Sequence, residues 1–278
     1  MRKLKVAMGQ MMVEGAQPQA NIARAVGMIN AAGRQKCDVV VLPECLDLGW
    51  THPCAAELAQ TIPGPFSDVI VAAAKSAEIY VAAGLVERMN GRIFNTAIFI
   101  SPTGEILLKH RKINELMIGP RMYSVGNSLA VAETPIGTFG LAICADNFPS
   151  SHAIGHVLGR MGARIILSPC AWAVDTNHDN VKDPYGGMWK ASYAELAKLY
   201  DMSIVGVSNV GWMIGGPWKG RKCIGCSMAI GPCGTLLAQG PYGDNAQALV
   251  NVDVPIMPVS ATGADIAPML AAKGYEGG

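Results

Sequence analysis

Three residues of unlike chemistry stand at the ends of strand-like runs. Cys144 closes Gly140-Leu141-Ala142-Ile143 and is followed by Ala145-Asp146-Asn147-Phe148-Pro149. A strand that ends in Cys and turns sharply into a helix carries the sulfur at a strand tip, where the next backbone N–H, that of Ala145, can help hold a developing oxyanion. Glu44 follows Asp38-Val39-Val40-Val41-Leu42-Pro43, so a carboxylate sits where open α/β sheets build their ligand crevices. A buried carboxyl group there is tuned for proton transfer. Lys112 ends Leu107-Leu108-Lys109-His110-Arg111-Lys112, and a cation at that place favours a thiolate and an anionic tetrahedral intermediate. Each residue alone also has a plain structural reading: a core thiol, a solvated loop carboxylate, a solvated strand edge. Lys109 and Arg111 read as such an edge. Together, an acid, a cation and a thiol at three strand ends form an acyl-transfer set.

The elements that must position them alternate strand and helix, with hairpins between. Leu4 to Gln10 is a strand, Gln17 to Gln35 carries apolar residues at helical spacing, and Asp38 to Leu42 is a buried-type strand. Ser67 to Ala77 reads as helix, Tyr80 to Val86 and Arg92 to Ser101 as strands, with a turn at Pro102-Thr103-Gly104 leading to Glu105 to His110. Ser128 to Glu133 pairs with Thr138 to Ile143. His152 to Met161 is helical, Ala163 to Leu167 a strand, Tyr185 to Leu199 helical, and further strands follow at 203–207, 227–230, 234–239 and 248–252. This order predicts α/β layers in one domain over residues 1–278, with 254–278 as a C-terminal tail running over the surface or a partner subunit. Asp175 to Gly187 and Gly211 to Lys222 read as long functional loops.

Composition narrows the partners. Of 278 residues half are hydrophobic and 15% charged, enough apolar content for a large core. The net charge of +1, from 22 basic and 21 acidic side chains, gives no electrostatic reason to expect nucleic acid or an anionic membrane. The apolar stretch from Asp68 to Glu87 is interrupted by Lys75 and Glu78, so no membrane span is expected. Gln10 and Glu14 break the N-terminal apolar run, which reads as mature structure of a soluble, cytoplasmic protein. Eight cysteines in so apolar a chain read as reduced thiols, and Cys223-Ile224-Gly225-Cys226 as a strand with buried thiols rather than half of a metal clip. His152 and His156, four apart on a helix, read as surface or core histidines. Neither a metal nor an organic cofactor is expected.

The chain resembles the carbon–nitrogen hydrolase superfamily, often called the nitrilase superfamily. The likeness rests on Gln10, Leu42-Pro43-Glu44, Asn95-Thr96-Ala97, Gly104-Glu105-Ile106, Arg111-Lys112 and Thr134-Pro135-Ile136-Gly137. It continues through Ile143-Cys144-Ala145-Asp146, Ser168-Pro169-Cys170-Ala171-Trp172, Ser208-Asn209 and Gly225-Cys226-Ser227. Each piece is short, but the order and spacing hold over nearly the whole chain. The resemblance implies an α–β–β–α four-layer sandwich and a catalytic Glu44, Lys112 and Cys144. It also implies pairing through the helix after the nucleophile, hence a homodimer or larger even-numbered homo-oligomer.

Departures from the family pattern matter as well. A second glutamate is usual shortly before Tyr123-Ser124-Val125-Gly126, but Gly119, Pro120 and Arg121 stand there. Glu115 is the nearby carboxylate, either its substitute or a solvated loop residue. The arginine that many relatives carry after the nucleophile is missing, with Asn147-Phe148-Pro149 in its place. Arg121 is a candidate anchor from the opposite loop, and Asn147 and Trp172 are candidate substrate contacts. Cys144-Ala145-Asp146 in place of Cys-Trp-Glu favours an amidase over a nitrilase.

The expected reaction is hydrolysis of an amide or carbamoyl group of a small molecule through a cysteine thioester. Glu44 takes and returns the proton, and Lys112 with the Ala145 N–H holds the oxyanion. The alternatives are a nitrile substrate, acyl transfer, or a binding protein that kept the fold.

Overall fold

The computed structural model describes residues 2–259 and 266–274. The first half runs β1 (Arg2–Gln10), α1 (Pro18–Arg34), β2 (Val39–Val41), α2 (Ala55–Leu58), α3 (Pro65–Ala77), β3 (Tyr80–Met89), β4 (Arg92–Ile100) and β5 (Ile106–Arg111). It continues with β6 (Val131–Thr134), β7 (Gly137–Leu141), α4 (His152–Arg160), β8 (Ile165–Cys170), β9 (Ala173–Val174) and α5 (Gly187–Tyr200). The last third contains β10 (Ser203–Ser208), β11 (Val210–Trp212), β12 (Lys222–Ile224), β13 (Met228–Ile230), β14 (Leu236–Gln239), β15 (Ala248–Ile256) and α6 (Ile266–Ala272).

Two six-stranded sheets carry the fold, ordered β15-β1-β2-β3-β4-β5 and β14-β13-β10-β8-β7-β6. Period-two alternation sorts their side chains. In the first sheet Leu4, Val6, Met8, Val39, Val41, Ala82 and Phe99 face the second sheet. Their neighbours Ala7, Val40, Val81, Ala83 and Ile98 face α1 and α3. α1 answers with Ile22, Ala25, Ile29 and Ala32 at helical spacing, and α3 with Ile70, Ala73 and Ala74. On the other side, α4 and α5 cover the second sheet through Ile154, Leu158, Tyr193, Leu196 and Tyr200. The result is the four-layer α–β–β–α sandwich expected from the sequence. A seam of stacked rings, Tyr80, Phe99 and Phe139, joins the two sheets.

Two boundaries differ from the sequence reading. Residues 254–256 are not tail but the end of β15, which pairs antiparallel with β1 from Arg2↔Ile256 to Gln10↔Ala248. The β-branched and proline residues there sit on a sheet edge, where Pro255 is tolerated. The described part of the tail returns to its own chain: Met269 and Leu270 pack on the core, and the Lys273 ammonium donates to the Lys198 carbonyl. The loop from Gly211 to Lys222 is the connection of a small three-stranded sheet, β11-β12-β9, set beside the catalytic strand tips.

Candidate active site

Glu44 stands three residues beyond β2, on a loop held rigidly against β3. Leu42 N–H donates to Ala82 O, Gly84 N–H to Pro43 O and Leu46 N–H to Gly84 O, at 2.8, 3.0 and 2.8 Å. Glu44 N–H reaches across to the second sheet, donating to Cys170 O at 3.2 Å. Gly84 makes this approach possible, since a Cβ there would come within 2.6 Å of the Glu44 Cα. The carboxylate is 1% exposed. Its Oε1 accepts from Lys112 Nζ at 2.6 Å and from Asn95 Nδ2 at 2.5 Å, while Oε2 has no partner among the described residues.

Alternation along β5 decides which basic residues reach the site. His110 and Lys112 face the inner side and are buried, whereas Lys109 and Arg111 face the other way. Lys109 and Arg111 lie on the partly solvated edge strand expected from sequence, but they are not free there. Both are tied to Glu87 of β3, whose side chain is wholly buried. The charge run hides a buried partner that lies more than twenty residues away in sequence. Burial would lower the Lys112 pKa, but the charges of Glu44, Glu115 and Cys144 outweigh it and hold the ammonium well above its ordinary value.

Cys144 follows β7 at the same end of the sandwich, with φ of +44° at the sharp turn into a short 3-10 helix, Cys144–Asn147. Asp146 fastens this turn. Its Oδ2 accepts from Ile143 N–H at 2.9 Å and pairs with His110 Nε2 at 2.8 Å, and its Oδ1 accepts from Ile113 and Asn114 N–H. The loop after Lys112 and the turn bearing Cys144 are thereby locked together through one carboxylate. Burial works against that carboxylate, yet the bond and charge of His110 hold its pKa below the usual range. The Cys144 thiol is pushed well above its ordinary pKa by burial, then by its contact with Cys170 and the Glu44 charge, with Lys112 opposing. At rest it is a thiol that needs a base.

Glu115 is not a solvated loop residue. Its side chain is 1% exposed, with Oε2 3.9 Å from Lys112 Nζ. Neither oxygen has a hydrogen-bond partner among the described residues. The carboxylate lies directly over Gly119, where an added Cβ would meet Oε2 at 2.6 Å. It therefore fills the space beside the very position at which a second glutamate was looked for in sequence. Burial raises its pKa to about 7, with Lys112 pulling down and Glu44 and Asp146 pushing up.

The remaining candidates divide. Ala145 is buried in the first turn after the nucleophile, where helix N–H groups lack intrahelical acceptors. Trp172 is 1% exposed, stacks on Trp189 at 5.0 Å and leaves its indole N–H unpartnered. Asn147 braces the turn through Nδ2, which donates to Ala142 O, Cys144 O and Ser168 Oγ, while its buried Oδ1 has no partner among the described residues. Arg121 is exposed on a surface turn, Gly119–Arg121, rather than facing a buried anchor point. A proline-bearing turn swings it outward and gives the place to the carboxylate of Glu115.

His152 bonds Ser192 Oγ and lies 3.6 Å from Glu195, and His156 bonds the Tyr200 hydroxyl. Cys223 and Cys226 are free, buried thiols. Asn95, Gly84 and His110 were missed as site residues; only their place on strands paired with the catalytic loops reveals them.

A family model described as "Carbon-nitrogen hydrolase" matches residues 5–259. The omega-amidase NIT2 of Bos taurus is 28% identical over 187 residues, covering 63% of this chain and 66% of that protein. The matched stretch thus spans just under two thirds of that relative's length. Among solved structures, an amidase from Nesterenkonia sp. superposes with a TM-score of 0.75 at 20% identity, covering 91% of this chain and 90% of the other. A carbon-nitrogen hydrolase from Helicobacter pylori G27 gives 0.78 at 19% identity, with the same coverages. At such identities the structural likeness concerns the fold, whereas the family match spans nearly the whole sequence, Glu44, Lys112 and Cys144 included. The chain belongs to the carbon–nitrogen hydrolase family.

Proposed function

We propose that this chain hydrolyses the amide bond of a small molecule through a thioester on Cys144. The observation that carries the reading is the half-satisfied Glu44. One oxygen is fixed by Lys112 and Asn95, and the other is buried and free to take a proton. Glu44 accepts the Cys144 proton as the sulfur attacks the carbonyl carbon. Lys112 and the Ala145 N–H stabilise the tetrahedral oxyanion in a site where little water screens them. Glu44 then protonates the departing nitrogen, and ammonia or an amine leaves. A water deprotonated by Glu44 attacks the thioester, and collapse of the second intermediate returns the thiol.

Glu115 serves as the second carboxylate. In its protonated form, which burial favours below about pH 7, it adds no negative charge beside the developing oxyanion and offers both a donor and an acceptor to the substrate amide. Trp172 supplies a further N–H donor. The omega-amidase name of the Bos taurus relative and the amidase name of the Nesterenkonia protein support an amide over a nitrile.

The same reading includes assembly and compartment. Ile154 and Leu158 of α4 pack inward, while Val157 and Met161 are each 41% exposed. That outward pair supports a homodimer or larger even-numbered oligomer formed through α4. Eight free thiols fit a reducing cytoplasm. No helix among the described residues is long and apolar enough to cross a membrane. The test of the activity is ammonia release from a panel of amides, carbamoyl compounds and nitriles. Amides are expected to be hydrolysed by the wild type and not by Cys144→Ala, and turnover of nitriles alone would overturn the reading.

A further inference from the structure

Cys144 has a second thiol beside it that the chemistry described above does not use. Cys144 and Cys170 stand on neighbouring strand tips. β7 and β8 run parallel, with Leu141 opposite Leu167 as the last pair, and each cysteine lies three residues beyond it. Ala142 N–H still donates to Leu167 O at 3.3 Å, and Asn147 Nδ2 donates to Ser168 Oγ at 3.0 Å, so the turn bearing Cys144 is held against β8. Paired strands lie about 4.8 Å apart, within the roughly 4.4–6.8 Å between Cα atoms that a disulfide spans. The two thiols meet, and their contact is among the forces that keep the Cys144 proton in place.

The surroundings favour this pair over the other thiols near the site. Cys170 is wholly buried, and its backbone is fixed by pairing with Ser208 of β10 and by accepting the Glu44 N–H at 3.2 Å. Its thiol donates to Ser168 O at 3.2 Å, which leaves the sulfur as an acceptor toward Cys144. The Ser168 and Tyr193 hydroxyls, at 3.4 and 3.7 Å, are its other polar contacts. Cys45 and Cys223 belong to a different packed cluster, with Trp50 and Tyr123, and the Cys45 thiol is turned to the Tyr123 hydroxyl. An amide substrate must reach Cys144, so a smaller molecule can follow the same path.

We propose that Cys144 and Cys170 form an oxidation site for hydroperoxides, in which Cys144 is oxidised and Cys170 closes a reversible disulfide onto it. Glu44 takes the Cys144 proton, and the sulfur attacks one peroxide oxygen. The O–O bond breaks and the sulfur gives up two electrons. The departing hydroxide or alkoxide takes the proton back from Glu44 and leaves as water or an alcohol. Cys144 is then a sulfenic acid. The Cys170 sulfur attacks the Cys144 sulfur, the S–O bond breaks, and the hydroxide leaves as water with the Cys170 proton. The disulfide silences the nucleophile and shields it from further oxidation to the sulfinic acid, which thiols do not reverse. The site rests on the Glu44–Cys144 pair of the proposed amide hydrolysis, but the crosslink is read without turnover.

The reduced protein is treated with a small excess of hydrogen peroxide, its remaining thiols are alkylated, and intact and peptide masses are measured. The wild type is expected to lose the mass of two hydrogens, with the Cys144 and Cys170 peptides joined, and dithiothreitol should restore both thiols. Cys170→Ala and Cys170→Ser should form no such link and gain oxygen on Cys144 instead. After dithiothreitol, at least about tenfold less Cys144 thiol should be recovered from these variants than from the wild type. The wild-type masses decide the link even where a variant fails to fold. A link from Cys144 to Cys45 or Cys223, oxygen added to wild-type Cys144 with no link, no change at Cys144, or equal recovery from wild type and variants would overturn the site. A Cys144–Cys170 link in a protein that hydrolyses no amide would instead overturn the proposed activity and leave the site standing.

Discussion

Two buried carboxylates on neighbouring strands show how one kind of residue serves two ends. Glu87 and Glu44 both lie in the first sheet's neighbourhood, both are almost fully buried, and both meet cations from the end of β5. Glu87 is saturated. Lys109, Arg111 and Thr96 occupy its two oxygens, and although burial works against ionisation, these bonds hold its pKa below the ordinary value. Glu44 is left half-satisfied, with Lys112 and Asn95 on one oxygen and nothing on the other. Strand alternation sends Lys109 and Arg111 to one face and Lys112 to the other. Completeness of the hydrogen bonding separates a structural carboxylate from a reactive one.

Substituting each carboxylate in turn separates its part in the reaction from its part in the fold. The largest effect belongs to Glu44→Gln, which should lower kcat by at least about 10²-fold while the melting temperature hardly moves. Glu87→Gln should do the reverse. It should cost about 2 kcal/mol of stability, less than for a fully buried pair because the freed Lys109 and Arg111 reach water, and leave kcat nearly unchanged. Activity assays and thermal melts of both variants decide it; equal losses of activity would erase the distinction. Lys112→Ala comes next, with a loss of at least about 10²-fold through the oxyanion, against a small change for Lys109→Ala, read by the same kinetics.

Glu115 yields a smaller effect with a pH signature. Glu115→Leu should lose roughly tenfold in kcat/KM, a modest share of what a positioned acid–base or hydrogen-bonding group contributes. In the wild type, kcat/KM should fall as pH rises past about 7, where Glu115 ionises. Glu115→Gln should remove that limb. A profile identical in wild type and Glu115→Gln would show Glu115 to be a bystander.

Stability has two opposite pH dependences. Glu87 and Asp146 are held below their ordinary pKa values, so their contribution is present above the usual carboxylate range and is lost as pH falls through the folded values. Glu115 is raised, from 4.5 to about 7, so the folded state loses stability relative to the unfolded as pH climbs through that window. Melting temperatures from pH 4 to 8 should show Glu115→Gln gaining on the wild type toward the alkaline end. A constant difference would contradict the raised value.

Much of this was legible in the sequence because it is local. Apolar period and turn residues predict β1, α1, β3, β4, the β4–β5 hairpin and α4 to within a few residues. Glu44, Lys112 and Cys144 stand out because each closes a strand-like run and because their order resembles the family pattern. What escaped depends on partners far along the chain. The saturation of Glu87 needs β3, β4 and β5 aligned in one sheet, and the reach of Glu115 over Gly119 needs a folded loop. Arg121 was misjudged because a chain position near the site does not fix where a side chain points. The bracing role of Asn147 escaped because Ser168, one of its partners, is 21 residues away in the chain.

The central claim is that Cys144 carries the acyl group. Intact-protein and peptide mass spectrometry of the enzyme, quenched in acid during turnover of a small amide, measures this directly. A mass increase equal to the acyl group is expected on the peptide bearing Cys144 and absent from Cys144→Ala. Little adduct is expected on Glu44→Gln, whose side chain can neither take the Cys144 proton nor return one to the leaving nitrogen. An adduct on Cys45, Cys170 or Cys226, or full turnover by Cys144→Ala, would contradict the claim.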